Sequence, residues 1–276
     1  MTIETEQTGD APFRIRRPLT DPVPVLVSMP HTGVRVTPEV DAGFASQLMA
    51  GLPMTDWHLH HLYDFLPELG ITSIHGVYSR FVVDLNRSPT AAPLYPGRFE
   101  TGLVPTETFH GEPVFLNPPD ADEIEIRRQR YHAPYHDALL QLLKDLRRQF
   151  GRAVLVDAHS IASVANRLHG ELQDDIYLGD RDGQTCGDWL RSTLVSAFNE
   201  RGLRVAINSP YKGGYITDHY GRVEDVEAIQ IEMCQRVYMQ EGKPDEALAC
   251  PQFDNARAML RQVFTDLLVG FRARYG

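Results

Sequence analysis

Ala153-Val154-Leu155-Val156-Asp157-Ala158-His159-Ser160 is an apolar run that ends on polar residues. It is too short for a helix, so it reads as a buried strand whose last side chains stand at a sheet edge, where open α/β folds place their ligands. A second such run, Val25-Leu26-Val27-Ser28-Met29, leads into Pro30-His31-Thr32-Gly33. Two imidazoles, His31 and His159, delivered at the tips of two strands point to a metal site. Neutral imidazole is the commonest side-chain ligand for zinc, and catalytic zinc takes three protein groups and keeps one position for water. Either histidine alone also reads as a hydrogen-bonded turn residue. The pair, with the carboxylates below, carries the metal reading.

With these two runs included, strands are expected at Val23 to Met29, Ile71 to His75, Phe81 to Leu85, Ala153 to Asp157, Asp175 to Leu178, Leu203 to Ile207 and Ala228 to Met233. Helical patterns alternate with them. From Thr55, a plausible N-cap, Leu59, Leu62, Tyr63 and Leu66 share a face and Asp56 falls in the first turn. The charged segment from Asp120 to Phe150 should break or kink at Pro134, and Gln184 to Asn199 and Phe253 to Tyr275 give two more amphipathic helices. Strands alternating with helices predict a mainly parallel, mixed α/β sheet flanked by helices on both faces. Residues 86–119 break the rhythm with Pro, Gly and aromatic residues, which predicts a long active-site loop. A flexible N-terminal tail over residues 1–20 and one hydrolytic domain over 21–276 complete the expected organisation.

The 276-residue chain is 42% hydrophobic, enough for a substantial core, and 27 basic against 37 acidic residues give a formal charge of -10. That balance disfavours a nucleic-acid partner or an acidic membrane surface, so any cationic pocket is local. Three widely spaced cysteines, Cys186, Cys234 and Cys250, indicate neither a disulfide framework nor a thiolate zinc cage and fit a reducing cytoplasm. The first dozen residues have no apolar core, so no signal peptide is expected there, and no segment is apolar for long enough to cross a bilayer.

Two histidines need a third ligand. Asp56 in Thr55-Asp56-Trp57-His58 is the first choice, although a first-turn acid also serves a helix dipole, and His58, His60 and His61 compete. Asp157 should share a face with His159 and either orient its imidazole or cap the following turn. Ser160 lacks a nucleophile elbow. In Glu227-Ala228-Ile229-Gln230-Ile231-Glu232-Met233 a carboxylate sits in an otherwise apolar strand, so Glu232 is either a proton carrier beside a metal or an exposed strand acid. Ser79-Arg80-Phe81-Val82-Val83-Asp84-Leu85-Asn86-Arg87 carries guanidinium groups at both ends; Arg87 reads as a clamp for a substrate carboxylate or as a structural partner of Asp84. Around the Gly213-Gly214 pair, Lys212, Tyr215, His219 and Arg222 could line a substrate pocket, stabilise an oxyanion or be structural.

Together these residues resemble the N-formylglutamate amidohydrolase (deformylase) family. The resemblance spans about Pro24 to Met239. It rests on Ser-x-Pro-His-x-Gly at 28–33, Thr-Asp-Trp-His at 55–58, the Ser79 to Arg87 stretch, Leu-Tyr-Pro-Gly at 94–97, Thr-Gly-Leu-Val-Pro-Thr at 101–106, Asp-Ala-His-Ser-Ile at 157–161, Lys-Gly-Gly-Tyr-Ile-Thr at 212–217 and Gln-Ile-Glu at 230–232.

It implies a phosphorylase/hydrolase-like fold related in plan to zinc carboxypeptidases, with Zn2+ or another divalent metal on His31, Asp56 and His159 and with Glu232 handling protons. Arg87, helped by Arg80 or Arg222, would hold the carboxylates of a small N-acyl amino acid. The implied reaction is hydrolysis of N-formyl-L-glutamate in histidine degradation; a deacylase or exopeptidase for other N-acyl amino acids, or a metal-dependent binding protein, are the rivals. Two positions that the family resemblance expects to be cationic are Pro210 and Asp218 here; if either position meets a substrate carboxylate, the acid recognised is not formylglutamate itself, so the expectation extends to a close N-acyl amino diacid and the reaction class is firmer than the substrate.

Overall fold

The computed structural model describes residues 11–90, 97 and 99–276. Residues 1–10 of the expected tail, 91–96 and 98 of the expected loop, and hence most of Leu-Tyr-Pro-Gly at 94–97, lie outside the described residues.

Seven strands form one sheet: β1 (Phe13–Arg16), β2 (Val25–Met29), β3 (Thr72–Gly76), β4 (Ala153–Ile161), β5 (Ile176–Gly179), β6 (Val205–Ile207) and β7 (Val226–Cys234). Their order is β1-β3-β2-β4-β7-β5-β6. The central strands β3, β2, β4 and β7 are mutually parallel; β1 joins β3 antiparallel, β5 joins β7 antiparallel, and β6 runs parallel to β5. The chain leaves β2 toward β3 on one side and returns as β4 on the other, so a switch point opens at the carboxyl ends of β2 and β4.

Helices are α1 (Pro38–Ala42), α2 (Gln47–Ala50), α3 (Leu59–Leu62), α4 (Ala121–Arg127), α5 (Ala133–Phe150), α6 (Asp188–Asn199), α7 (Tyr215–Tyr220) and α8 (Pro251–Tyr275). Strand alternation divides the core. Val154, Val156, Ile229 and Ile231 point into a cluster with Leu59 of α3, Leu194 of α6 and Leu260 and Phe264 of α8. Ala153, Leu155 and Ala228 point the other way, against Tyr135, Leu139 and Leu143 of α5 and Ile216 of α7. A fully buried leucine of this kind is worth about 1.5–3 kcal/mol of transfer free energy, so each helix layer is held by several such side chains.

The sequence places six of the seven strands within a few residues. Three expectations need correction. Phe81 to Leu85 is not a strand: the Val82 amide closes a turn on Ser79, the Asp84 amide pairs with Leu103, and Phe81, Val82, Val83 and Leu85 are apolar because every side chain of this turn is buried. The tail is ordered from residue 11, with Phe13–Arg16 forming the edge strand β1 on β3. Thr55 caps no helix; its hydroxyl donates to the Leu52 carbonyl, and α3 begins only after His58. Pro134 does interrupt the charged helix: a π-type turn at Arg128–His132 separates α4 from α5, and the proline sits in the first turn of α5, where its missing N–H is not needed. Among the described residues of 86–119 there is no helix or strand, only isolated bridges.

Candidate active site and metal centre

His31 follows β2, His159 lies near the end of β4, and the switch point brings their rings together. The two Nδ1 atoms are 3.2 Å apart. Asp56 Oδ2 lies 3.0 Å from His159 Nδ1 and 3.7 Å from His31 Nδ1, and all three residues are buried. Asp56 comes from the irregular loop before α3, not from a helix turn, and its backbone N–H donates to the His31 carbonyl at 3.1 Å. Thus two of the three residues are also tied through the main chain. His58, the competing ligand, points elsewhere, with Nε2 2.9 Å from the Pro244 carbonyl.

The far nitrogen of each ring meets a buried carboxylate. His31 Nε2 stands 2.7 Å from Asp84 Oδ1, and His159 Nε2 stands 3.0 Å from Asp157 Oδ2. A carboxylate only accepts, so His31 Nε2 carries a proton toward Asp84 and leaves Nδ1 to accept from the Arg80 guanidinium, whereas His159 has a carboxylate oxygen beside each nitrogen, Asp157 at Nε2 and Asp56 at Nδ1. Donors about 2.0–2.1 Å from a tetrahedral zinc stand roughly 3.3 Å apart, and two imidazoles with one carboxylate make a catalytic donor set, so these residues fit a divalent ion.

Asp157 is held on both oxygens, by Ser28 Oγ at 3.3 Å and by Asn86 Nδ2 at 3.1 Å. The amide end of Asn86 is fixed because the Ile216 N–H donates to Oδ1 at 2.7 Å.

Charge follows this layout. Burial, with the Arg80 guanidinium that donates to Nδ1, lowers the His31 pKa to about 4, so its ring is neutral. Burial also opposes a charge on His159, but Asp157, Asp56 and Glu232 together raise it well above the ordinary value. Burial works against ionisation of Asp84, yet His31, Arg87 and Arg80 hold it well below the carboxylate range. Glu232 is the register partner of His159 on the neighbouring parallel strand and projects from the same face. Burial pushes its carboxyl up, Asp56 and Asp157 add to the rise, and His159 and Arg80 oppose it. Its Oε2 is buried with no hydrogen-bond partner.

A cavity of about 610 Å³ opens over these groups, within the range of small-molecule sites. His31, Asp56, His159, Glu232, Arg80, Arg87 and Tyr215 all line it, and the 86–119 segment contributes Phe99, Thr108 and Phe109 to its wall. Arg87 is fastened by Thr101, through the carbonyl and Oγ1 at 3.0 Å each, and lies 3.9 Å from Asp84. Lys212, His219 and Arg222 are not brought to the cavity. Lys212 pairs with Asp182 at 2.7 Å, His219 stacks on Tyr215, and Arg222 is exposed and paired with Asp218 at 2.7 Å. Asp218 does reach the wall, with Arg181 at 3.1 Å on one of its oxygens. Ser160 is also at the cavity wall, where its hydroxyl shares a hydrogen bond with the Tyr238 hydroxyl at 2.9 Å.

Sequence reasoning missed Asp84 as the partner of His31, and it missed Asn86 and Gln230 altogether. A signal for Asp84 existed: an acid inside an apolar run must be paired when buried, and a histidine is as good a partner as the nearby arginines.

The model of the N-formylglutamate amidohydrolase family matches residues 23–239. The chain belongs to that family. It is 42% identical over 262 residues to the N-formylglutamate deformylase of Pseudomonas aeruginosa, covering 92% of this chain and 96% of the relative. Against the N-formylglutamate deformylase of Pseudomonas putida it is 39% identical over 260 residues, covering 92% and 95%. Among solved structures, an N-formylglutamate amidohydrolase from Ralstonia eutropha JMP134 superposes with a TM-score of 0.80 at 24% identity, covering 96% of this chain and 99% of the other. A protein from Agrobacterium tumefaciens superposes at 0.70 with 18% identity, covering 94% and 96%. These two likenesses show that a shared fold extends over nearly the whole chain. No helix among the described residues is long and apolar enough to cross a membrane.

Proposed function

We propose that the chain hydrolyses N-formyl-L-glutamate, or a close N-acyl amino diacid, to formate and the free amino acid, using a divalent metal of the zinc type on His31, Asp56 and His159. The observation that carries the reading is the convergence of those three donor atoms within 4.8 Å, in a member of this family, with the unpartnered Glu232 Oε2 on the next strand.

When bound, such an ion supplies Lewis acidity that polarises an amide carbonyl and acidifies a water. The chain's own groups do the rest. Asp84 and Asp157 keep both Nε2 protons in place and so hold the rings in the ligating tautomer. Glu232 takes a proton at Oε2 from the attacking water and returns it to the leaving nitrogen, a role suited to a carboxyl raised by burial. Arg87 offers a fixed planar fork to a substrate carboxylate, and Arg80, buried beside His31, sets positive charge where the acyl oxygen gains negative charge. Phe99, Thr108 and Phe109 of the 86–119 segment wall the same space.

The free thiols of Cys186, Cys234 and Cys250 support work in the cytoplasm, and the family supports a place in histidine degradation. The test is to incubate zinc-loaded protein with N-formyl, N-acetyl and dipeptide derivatives of glutamate, aspartate and neutral amino acids and to measure released acid. Formate from N-formylglutamate at the highest kcat/KM is expected. No turnover of any substrate by metal-loaded protein would overturn the reading, and faster acetyl or dipeptide cleavage would replace it with the deacylase or exopeptidase reading.

A further inference from the structure

The glycine pair Gly213-Gly214 takes no part in the chemistry above, yet it lies directly over the site. Gly179 on β5 is the register neighbour of Gln230, and a Cβ there would stand 2.4 Å from the Gly213 nitrogen. A Cβ on Gly214 would stand 2.4 Å from Asn86 Nδ2. Gly213 itself has a φ of +108°, a conformation that only glycine adopts without strain. The segment is therefore pressed between β5 and Asn86, in space that side chains would otherwise occupy.

Two carboxamides grip it, and each grips an acid of the site with its other end. Asn86 accepts from the Ile216 N–H and donates to Asp157, on the metal side. Gln230 accepts the Gly214 N–H through Oε1 at 2.6 Å and donates from Nε2 to Glu232 Oε1 at 3.0 Å. A backbone N–H can only donate, so the first contact fixes which end of the Gln230 amide is oxygen, and the second follows. Gln230 is buried and shares its sheet face with Asp157, His159 and Glu232.

We propose that Gln230 is a positioning residue for Glu232, with the Gly213-Gly214 turn as its anchor. A carboxylate rotates broadly about its last torsion, and a single donor at a fixed point selects one orientation. By occupying Oε1, Gln230 leaves Oε2, the unpartnered oxygen, as the one that meets the reacting proton. This rests on the reading of Glu232 as the proton carrier.

The test is a double-mutant cycle on metal-loaded protein, made with Gln230→Met, which keeps length, and Gln230→Leu, which keeps an uncharged side chain of similar bulk; each removes both hydrogen bonds. In the wild-type background each is expected to lower kcat about 10- to 100-fold, the usual worth of a hydrogen bond to a charged group, with KM within about threefold and bound metal unchanged. In a Glu232→Gln background the same substitutions should cost less than about threefold, since a residue that acts through Glu232 has nothing left to position. Amide hydrogen exchange at Gly214 should quicken in both variants. Equal losses in both backgrounds, or wild-type kcat in Gln230→Met, would overturn the proposal. Absence of turnover by the wild type would instead remove the deformylase reading, and this inference with it.

Discussion

Two groups of histidines lie close together in this protein, and they differ in what faces them. His31 and His159 each meet a buried carboxylate on one nitrogen and share Asp56 on the other. His61 and His75 pack against His60 instead, with ring centroids 4.1 Å apart for the tilted His60–His61 pair and 5.1 Å for the stacked His60–His75 pair. His60 Nδ1 meets only the Thr32 hydroxyl, and His75 Nδ1 has no partner. Burial, with the neighbouring histidines and Arg16, lowers the His60 pKa to about 3, and the same causes hold His75 well below its ordinary value. Neutral imidazoles packed together fill space; imidazoles whose far nitrogens are charge-oriented can hold an ion. The carboxylates, not the number of histidines, separate a candidate metal centre from a patch of core.

The largest effect should come from breaking the first group at its centre. His159→Ala, or His31→Ala, removes a donor and should abolish metal binding and lower turnover by at least about a thousandfold, while His61→Ala should leave both near wild type; metal analysis and formate release measure this. Glu232→Gln comes next: turnover should fall about 10²- to 10⁴-fold with metal content intact, which separates a proton carrier from a ligand. Asp84→Asn and Asp157→Asn keep the shape of the orienting contacts but weaken them, and each should cost about 10- to 100-fold in metal affinity by competition with a chelator. Converting either carboxylate without changing affinity would erase the distinction drawn between the two groups.

The smallest effect belongs to the stacked group and concerns stability. His60 ionises at about 3 in the folded chain, against 6.5 when unfolded. Between those values the unfolded chain binds a proton that the native chain does not, so stability present above pH 6.5 is lost progressively down to about pH 3. His136, lowered to about 3 by burial beside His132, acts in the same direction and window. Denaturant midpoints of His60→Gln should therefore fall less steeply than wild type between pH 6.5 and 4, with metal affinity unchanged at neutral pH. Equal slopes would contradict the burial argument.

How much of this was legible in the chain depends on whether neighbours in sequence or in space decide a residue's role. The runs ending at Met29 and Val156 announce buried strands, and polar residues just beyond them mark the sheet edge, so His31 and His159 could be paired before any coordinates. The alternation of Ile229 and Ile231 with Gln230 and Glu232 placed the acid on one face. Phe81 to Leu85 misled because complete burial, whether in a strand or a turn, makes the same apolar run. Phe13–Arg16 escaped notice because only Phe13 is buried along this edge strand. Asp84 was read against Arg87, three residues away, when its shortest contact is His31, fifty-three residues away. Gln230 carries no local signal at all, since its function depends on a glycine turn sixteen residues earlier.

The central claim is that His31, Asp56 and His159 share one ion. The most direct measurement is an anomalous difference map at the zinc edge from crystals of zinc-loaded protein. The account predicts a single strong peak bonded to His31 Nδ1, His159 Nδ1 and an Asp56 oxygen. A peak among His58, His60 and His61, or none between the two strand-end rings in protein that binds zinc stoichiometrically, would contradict it.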